Sequence, residues 1–521
     1  MKVWTRRDVL QAALAGAGSV AWPWGGALAQ SGGAALLRAP KQALVIGNGK
    51  YRHSPLRNPV NDARGMAAAL KDVGFGVVLG LETTQAAMRE AIQAFSESLA
   101  KSKAVGLFYF AGHGAQLAWR NYLIPVDVEI ADVQELRERA VDLNSLIEGI
   151  RKAGNPMNVI ILDACRDNPF GSAARVEQRG LSQLDAPPGT LLAYATAPGN
   201  TAIDGDGGEH GLYTEHLLQE IKVPEAKVED VFKRVRLGVR RRSKGQQLPW
   251  ESTSLEEDFW FIPPQAVKKL AAEEVEREFK QELALWEKIR GATQPGPLED
   301  YLRRYPGGRY TELAQLRLDQ MLAKLGEKKI EVVSAPENPY TKGTAKANTA
   351  YKIGDSYTYR ELDLLTGLEQ QGFTSTVTNI AENEVTFSNG LVTDLLGNAV
   401  RTRRGTPRSP SQVVPTEFAV GKRWRSRFQG VSLRGKGYEM NLELRITERE
   451  RITVPAGTFD AYRVDAWGWG TGDGIHVSWD WKRWYAPERV RRPVAIERLH
   501  MNQAGVVSQS SRLEPLAYKQ S

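Results

Sequence analysis

Apolar runs separated by amphipathic stretches fill the first half of the chain. Five runs rich in aliphatic and β-branched residues occur at 42–47, 76–81, 104–111, 159–162 and 190–196. Buried parallel strands have such continuous apolar sequences, and the amphipathic stretches supply the helices that connect parallel strands. The pattern therefore predicts an α/β domain over residues 40–263, with a mostly parallel sheet flanked by helices.

The pattern changes twice beyond residue 263. Residues 265–325 place apolar side chains at helical spacing in a highly charged segment. This spacing predicts a short α-helical segment, which resembles a single tetratricopeptide-like hairpin and is either a docking face for a partner or a structural spacer. Residues 326–350 are predicted to be a linker. Alternating residues and Gly-containing turns over 351–521 predict a C-terminal all-β domain.

Tryptophan is concentrated in the predicted β domain, where six of the 13 Trp residues fall between Trp424 and Trp484. Such a cluster could be a platform on which a glycan stacks. However, Trp479 and Trp481 are two residues apart, and residues at this spacing in a strand share one face of the sheet. We therefore favour a packed sheet face.

The composition narrows the class of function. With 42% hydrophobic and 25% charged residues, the 521-residue chain has the composition of a globular protein with several domains. The formal net charge is +8, but the 69 Lys and Arg residues are spread along the chain. There is no basic segment with interleaved aromatics, no zinc-ligand spacing and no phosphate-binding loop. We therefore expect no nucleic acid partner and no metal site.

The first 29 residues have the three parts of an export signal. Arg6 and Arg7 precede a weakly hydrophobic stretch rich in Ala and Gly, and Ala27-Leu28-Ala29 follows it. The paired arginines resemble the twin-arginine type of signal, and the apolar stretch is shorter than the roughly 20 residues that span a bilayer. We expect residues 1–29 to direct export to the periplasm or beyond the cell, with no transmembrane span in the mature chain. The alternative is a retained N-terminal anchor.

Two of the apolar runs end in residues that can carry chemistry. The run at 159–162 leads into Cys165, the only cysteine of the chain, and the run at 104–111 leads into Gly112-His113-Gly114. Open α/β sheets place functional residues at the carboxyl ends of their strands. If the two strands are neighbours, His113 and Cys165 lie together at one edge of the sheet.

A cysteine and a histidine at such an edge can act together. A free thiol, with a pKa of about 8.5, is mostly protonated at neutral pH, and an imidazole within reach can take its proton and return it to a leaving amine. The backbone N–H groups of Gly114 and Cys165 are natural donors to the oxyanion that develops during acyl transfer. Taken alone, each residue is more often structural, since a lone cysteine is commonly a small buried hydrophobe.

These motifs resemble the caspase family of cysteine peptidases. That family has a short motif around the cysteine and a histidine roughly 50 residues upstream, and the separation here is 165 − 113 = 52 residues. The local sequence Asp163-Ala164-Cys165 is similar to that of the metacaspase and bacterial caspase-like branch. The resemblance implies a caspase fold, a His113 and Cys165 dyad, and peptide-bond hydrolysis without a cofactor.

The resemblance also implies a preference for basic substrates. Metacaspases cut after Arg or Lys and hold that side chain with acidic residues, whose positions Asp163 and Asp62 match. Two converging carboxylates can hold a guanidinium by charge-assisted hydrogen bonds. Structural alternatives exist, because Asp163 could cap a turn and Asp62 could interact with a helix dipole. The chain departs from the family at Ala111, where metacaspases often have a serine.

Three further expectations follow from the resemblance. The segment after the cysteine can be a site of self-cleavage in metacaspase-like enzymes, and Arg175 and Arg179 are its basic residues here; the alternative is a flexible surface loop. The Gly-rich loop 204–208 contains aspartates and could bind the calcium that activates some metacaspases, although its spacing is not that of an EF-hand. Caspases dimerise through a sheet edge whereas metacaspases are typically monomers, so we expect a monomer.

The sequence thus predicts an exported cysteine-type endopeptidase that cleaves protein or peptide substrates after Arg or Lys. The main alternative is a catalytically inactive caspase-like domain that binds a basic peptide as part of a scaffold in the cell envelope. Both hypotheses share the α/β fold and differ in whether the dyad is active.

Overall fold

The structure is a computed structural model, and it describes residues 36, 39–130, 132–165, 180–198, 200, 208–264, 272–327, 337–381, 383–401, 411–431, 437–472, 475–502 and 505–521. The export signal predicted for residues 1–29 lies outside these ranges. Within them, no helix combines the length and the apolar character that a membrane span requires.

The first half of the chain forms an α/β domain. Its strands are β1 Lys41–Gly47, β2 Gly76–Leu81, β3 Val105–Leu117, β4 Arg120–Leu123, β5 Val141–Asp142, β6 Asn158–Cys165, β7 Thr190–Tyr194 and β8 Trp250–Thr253. Its helices are α1 Pro59–Asp72, α2 Gln85–Ser102, α3 Val133–Arg139, α4 Leu143–Ala153, α5 Leu212–Glu220 and α6 Val228–Arg242. The sheet has the order β2-β1-β3-β6-β7-β8, with β8 antiparallel and the other five strands parallel, while β4 and β5 extend it from β3. This architecture confirms the predicted α/β fold.

Helices cover both faces of this sheet. On one face α1, α5 and α6 pack against strand residues such as Val45 and Ile161. On the other face α2 and α4 pack against residues such as Ile46 and Ile160. Because neighbouring residues of a strand point to opposite faces, a strand that is buried on both sides needs an unbroken apolar run. The runs in the sequence are therefore a direct consequence of the two helical layers.

Three helices follow the α/β domain, and they are α7 Ala272–Ile289, α8 Pro295–Arg304 and α9 Thr311–Lys324. Their small core combines aliphatic side chains with aromatic rings, and the rings of Trp286 and Tyr310 are stacked at a centroid distance of 4.9 Å. Leu237 of α6 packs against this core, and Arg240 of α6 forms an ion pair with Asp319 of α9 at 2.6 Å. The helical segment thus packs its apolar face against the α/β domain. A unit of this size is too small to bury such a face by itself.

The described residues beyond this segment form a sheet-rich region. Its strands are β9 Thr344–Lys346, β10 Ser356–Asp363, β11 Glu369–Ala381, β12 Glu384–Phe387, β13 Val392–Asp394, β14 Ala399–Arg401, β15 Glu417–Ala419, β16 Arg423–Val431, β17 Gly437–Val454, β18 Gly457–Gly472, β19 Ile475–Tyr485, β20 Ala495–Asn502 and β21 Val507–Lys519. Eleven of them form one antiparallel sheet in the order β14-β13-β12-β11-β10-β21-β20-β19-β18-β17-β16, and β9 pairs with β15. This region confirms the predicted all-β part of the fold.

The tryptophans of β18 and β19 lie on two faces of this sheet. Trp479 and Trp481 share the face that carries much of the core, which we call the inner face. Trp481 donates from Nε1 to Nε2 of His500 at 3.1 Å, and the His500 ring stacks on Trp479 at 4.2 Å. Trp467 and Trp469 of β18 lie on the opposite face and are 46% and 65% exposed. The packed-face interpretation therefore holds for Trp479 and Trp481.

The environment of His500 predicts a pH dependence of stability. Burial lowers the pKa of His500 to about 4 from an ordinary value of 6.5, and the charge of Arg498 also lowers it. Between these pH values the unfolded chain binds a proton at this position and the folded chain does not. The free energy of unfolding therefore falls as the pH falls, by about 1 to 3 kcal/mol in total.

The test compares the full chain with its His500→Gln variant, since glutamine keeps an acceptor for Trp481 but does not titrate. Denaturant unfolding followed by tryptophan fluorescence, at about pH 7.5 and about pH 4.5, gives both free energies. The variant should lose less stability than the unchanged chain on acidification. Equal losses would contradict the assignment to His500.

Candidate active site

The pairing of β3 with β6 sets two of the predicted site residues side by side. The strands are parallel, and their register runs from Gly106 opposite Asn158 to His113 opposite Cys165. Paired strands lie about 4.8 Å apart, so the backbones of His113 and Cys165 are direct neighbours where β6 ends. The structure thus brings these two positions together.

Strand β3 is longer than the apolar run that predicts it. The run ends at Ala111, but the strand continues to Leu117 and pairs with β4 in its last part. The small and polar residues at 112–116 are typical of a loop, which is why the sequence does not indicate the extension. His113 consequently lies inside a strand, with Cys165 on one side and Ile124 on the other.

The imidazole of His113 is buried and its orientation is fixed. Its Nε2 lies 2.7 Å from the carbonyl oxygen of Ser54, and the ring of Tyr51 packs against it at a centroid distance of 4.4 Å. A carbonyl oxygen only accepts hydrogen bonds, so Nε2 carries the proton and Nδ1 is the basic nitrogen of the neutral ring. Ser54 has a φ of 56°, in the left-handed region where non-glycine residues cluster at functional sites.

A tyrosine hydroxyl completes the β3–β4 pairing at His113. The Ile124 N–H donates to the His113 carbonyl at 3.0 Å. In the other direction the His113 N–H donates to the Tyr51 hydroxyl at 2.9 Å, and this hydroxyl donates to the Ile124 carbonyl at 3.0 Å. Tyr51 therefore holds both the ring and the backbone of His113. Sequence reasoning misses Tyr51 and Ser54, whose only signal is a position in the loop at the carboxyl end of β1.

Gly112 provides the space that Tyr51 occupies. A Cβ at Gly112 would lie 2.6 Å from the Tyr51 hydroxyl oxygen and 2.8 Å from Cζ of Phe110. The φ of Gly112 is 156°, which residues with a side chain rarely adopt. A glycine is therefore required immediately before His113.

The N–H of Gly114 is directed away from β4. In an antiparallel pair, hydrogen-bonded positions alternate with positions whose N–H and C=O groups point outward. His113 and Ile124 are a hydrogen-bonded pair, so Gly114, opposite Leu123, is an outward-pointing position. Its N–H points to the side of β3 on which β6 ends at Cys165.

Asp62 and Asp163 converge beside Gly211. Asp62 lies in the first turn of α1 and Asp163 lies near the end of β6, and they are 3% and 8% exposed. A Cβ at Gly211 would lie 3.1 Å from Oδ2 of Asp62 and 3.8 Å from Oδ2 of Asp163. Both carboxylates therefore border the same point. The structure brings together the two acids that the sequence assigns to a pocket.

Residues that precede α5 hold the carboxylate of Asp62. Its Oδ1 accepts the Gly211 N–H at 3.0 Å and lies 3.0 Å from Nδ1 of His210. The His210 side chain is 26% exposed, whereas that of Asp62 is 4% exposed. Sequence reasoning misses His210, because a histidine beside a Gly-rich loop has no distinguishing pattern.

Asp163 ends a buried chain of hydroxyl groups. Its Oδ2 accepts the hydroxyl of Thr214 at 2.6 Å. Since the Thr214 proton is used there, the Tyr109 hydroxyl, 2.5 Å away, donates to the Thr214 oxygen. Burial raises the pKa of Tyr109, and the charges of Asp163 and Asp62 raise it further. Tyr109 therefore remains protonated at neutral pH and keeps Thr214 oriented.

A segment from the C-terminal part of the chain packs beside the residues that follow β6. Asn338 donates from Nδ2 to the Gln183 carbonyl at 2.9 Å. Asp185 accepts the Thr341 hydroxyl at 2.8 Å and the Lys342 N–H at 2.7 Å. These hydrogen bonds hold the chain in place at residues 183–185.

Some of the predicted features lie outside the described residues. They are the self-cleavage sites Arg175 and Arg179 and most of the loop 204–208 that could bind calcium. In the part of the chain that the structure describes, no group of three or more His, Cys, Asp or Glu side chains is placed to hold a metal ion. Self-cleavage and calcium activation stay predictions.

The fold and the strand-end residues define a class, that of the caspase-like proteases. Comparison with known families agrees, since residues 40–260 match the family model of the caspase domain, Peptidase_C14. This part of the chain therefore has the fold of a caspase domain, as that family model describes it. The resemblance drawn from the motifs around His113 and Cys165 is thereby confirmed.

Two known proteins are similar to this domain. The human mucosa-associated lymphoid tissue lymphoma translocation protein 1 is 27% identical over 250 residues, which cover 47% of this chain and 29% of that protein. Its mouse homolog is 28% identical over 189 residues, or 36% of this chain and 22% of the homolog. The chain thus spans less than a third of the length of these relatives.

Removing the Tyr51 hydroxyl should destabilise the β3–β4 pairing. Tyr51→Phe removes the acceptor of the buried His113 N–H, while the Ile124 carbonyl keeps the Asn48 Nδ2 donor at 3.3 Å. Loss of a partner at a buried backbone donor costs about 1 to 3 kcal/mol. Denaturant unfolding of both proteins measures the difference. Tyr305→Phe, at a hydroxyl with no described hydrogen bond, is the matched control. A Tyr51→Phe chain as stable as this control would refute the bridging role.

Proposed function

We propose that this chain is a cysteine-type endopeptidase that cleaves protein substrates after Arg or Lys, with Cys165 as nucleophile and His113 as general base. A caspase domain belongs to a protease family, so its substrates are proteins. The observation that carries the assignment of residues is the register of β3 and β6, which sets His113 opposite Cys165. The preference for basic residues rests on the convergence of two buried carboxylates.

The proposed reaction is an acyl transfer in two halves. The Cys165 thiol gives its proton to Nδ1 of His113, and its sulfur forms a bond with the carbonyl carbon of the residue before the scissile bond. The C–N bond then breaks, and the imidazolium returns the proton to the leaving amine. Water, deprotonated by His113, hydrolyses the thioester and restores the thiol. These steps need no cofactor.

The surroundings of His113 support its role as a base. The Ser54 carbonyl accepts the Nε2–H at 2.7 Å, so it stabilises the positive charge that forms when Nδ1 takes a proton. The packed Tyr51 ring and the hydrogen bond of the His113 N–H to the Tyr51 hydroxyl prevent reorientation. A base held in one orientation is preorganised for proton transfer from the thiol, so no orientational entropy has to be lost during the reaction.

The backbone supports stabilisation of the oxyanion. The Gly114 N–H points to the side on which β6 ends, and the Cys165 N–H lies at that end. Two such donors aimed at a developing oxyanion typically contribute a few kcal/mol each to transition-state stabilisation. We assign both groups to the oxyanion hole.

The pocket beside Gly211 suits a guanidinium or an ammonium group. Between Asp62 and Asp163 such a group gains charge-assisted hydrogen bonds in a site shielded from water. Gly211 contributes by having no side chain, because a Cβ there would lie 3.1 Å from the Asp62 carboxylate. Export by a twin-arginine-type signal and action as a monomer remain proposals from the sequence.

Loss of either dyad residue should abolish cleavage. Cys165→Ala and His113→Ala should each lower kcat/KM for fluorogenic peptides by about a thousandfold or more, because neither the nucleophile nor its base can be replaced by water. Circular dichroism of each variant checks that it is folded. Full activity in Cys165→Ala would exclude the proposed nucleophile. A wild-type chain that binds basic peptides without cleaving them would favour the inactive scaffold.

Neutralising Asp163 should affect basic substrates selectively. Asp163→Asn should lower kcat/KM at least tenfold for peptides with Arg or Lys before the cleaved bond, since a charge-assisted hydrogen bond is worth about 1.5 to 3 kcal/mol. Asp72→Asn, which removes an equal charge from the exposed end of α1, is the matched control. A loss of the same size with peptides that end in Asp or Leu would argue against a pocket role.

A further inference from the structure

A second cavity lies in the β part of the protein, on the inner face of its large sheet. Its volume is about 190 Å³. Its lining includes residues of strands β19 and β20 and of the segments 391–399 and 411–414. None of its lining residues belongs to the caspase domain, so it is separate from the site built around His113.

The cavity has an excess of positive charge. Four arginines line it, and they are Arg483, Arg491, Arg492 and Arg498. Two of these are neutralised within the fold, Arg491 by Asp355 at 2.5 Å and Arg498 by Glu361 at 3.4 Å. Within the described ranges, no carboxylate lies within ion-pair distance of Arg483 or Arg492.

Aromatic rings hold the two remaining arginines. The guanidinium of Arg483 lies 4.4 Å from the ring centre of Trp481, and that of Arg492 lies 5.1 Å from the ring centre of Phe387. Arg483 makes no hydrogen bond to a described residue and has a buried Nε. Arg492 has a long bond of 3.5 Å to the Gly397 carbonyl, and the hydroxyls of Tyr351 and Tyr359 lie beside its guanidinium. A guanidinium that stacks by its face keeps the donors on its edge available to a ligand.

Three buried hydroxyl groups add further polar atoms to the same cavity. They belong to Ser375, Thr393 and Tyr485, which are 5%, 0% and 4% exposed. None of the three hydroxyls has a hydrogen-bond partner among the described residues. A buried hydroxyl without a hydrogen-bond partner is unfavourable for folding. Their concentration at one cavity, beside two unneutralised arginines, indicates a site built for a ligand that accepts hydrogen bonds.

The rest of the lining is apolar and limits the size of the ligand. It includes aromatic and aliphatic side chains, among them Phe373, Leu391, Phe428, Ile496 and Leu513. Pockets for drug-sized molecules usually begin at roughly 300 Å³, so this cavity suits a smaller molecule. A ligand that fits must combine a negative group with a compact apolar body.

We propose that this cavity binds a small amphiphilic carboxylate, whose anionic group is held by Arg483 and Arg492 and whose apolar body packs against the aromatic and aliphatic lining. The bidentate geometry of guanidinium groups matches a carboxylate, and the buried hydroxyls supply further donors. This binding site does not depend on the proposed peptidase activity.

The probes are sodium decanoate and sodium 1-naphthoate, titrated into the full chain by calorimetry, with tryptophan fluorescence as a second readout for decanoate. At least one should bind at a single site with a Kd of about 100 µM or lower. Decanol, which lacks the charge, and acetate, which lacks the apolar body, should each bind at least tenfold more weakly. A decanol affinity equal to that of both acids would overturn the anion assignment.

Substitutions locate the site. Arg483→Gln and Arg492→Gln should each weaken binding at least tenfold, because each removes a charged donor. Arg360→Gln is the matched control, since Arg360 lies outside the cavity and pairs with Glu514 at 2.6 Å. The proposal fails if neither acid binds the folded chain, or if the cavity variants bind as tightly as the control.

Discussion

The parallel pairing of β3 with β6 is the constraint on which the candidate active site depends. A shift of one residue would move His113 off Cys165 and turn alternate side chains of a strand to the wrong helical layer. Hydrogen bonds fix the register where the pairing begins, since Asn155 donates from Nδ2 to the Ala104 carbonyl at 2.8 Å and the Gly106 N–H donates to the Met157 carbonyl at 2.9 Å. The far end of the pairing follows from this beginning, because both strands are fully extended and buried. The geometry of the dyad is thus a property of the whole sheet.

Local flexibility is removed at the other end of the pairing by residues from the loop after β1. The left-handed conformation of Ser54 costs about 1 to 3 kcal/mol. This conformation places its carbonyl oxygen where it accepts a hydrogen bond from Nε2 of His113. The Tyr51 hydroxyl inserted between His113 and Ile124 requires a glycine at 112. These residues contact His113 and are not proposed to contact a substrate. They determine which nitrogen of the imidazole is basic and where it lies.

The parts of the site that the sequence predicts are those attached to buried strands. His113, Cys165 and Asp163 follow or end apolar runs, and the order of the runs suggests which strand ends meet. Asp62 is accessible to prediction only through the family resemblance, since nothing local links the first turn of α1 to β6. The C-terminal β part was predictable from alternation and turns, but its cavity was not, because its lining comes from segments far apart in the chain.

The unpredicted residues of the site have a common physical reason. Tyr51, Ser54, His210 and Thr214 act through hydrogen bonds to partners 51 to 148 positions away. Such pairings depend on how loops and helix ends fold over the sheet, and no periodicity in the sequence encodes them. The role of Tyr109 is not predictable from the sequence for a different reason. A tyrosine within an apolar run is indistinguishable from a core residue until the position of its hydroxyl is known.

The contact between the two large sheets bears on assembly. Strand β8 is an edge of the caspase-domain sheet, and its pairing with β7 leaves the Thr253 carbonyl pointing outward. Gly421 of the β part lies against this carbonyl, where a Cβ would come within 2.1 Å of the oxygen, and Arg423 donates to the Leu255 carbonyl just beyond. Exposed edge strands are the parts of a sheet that pair with a second copy. Because the protein covers the end of this edge with its own chain, pairing of two caspase domains through β8 would require the β part to move, which supports the proposal that the protein acts as a monomer.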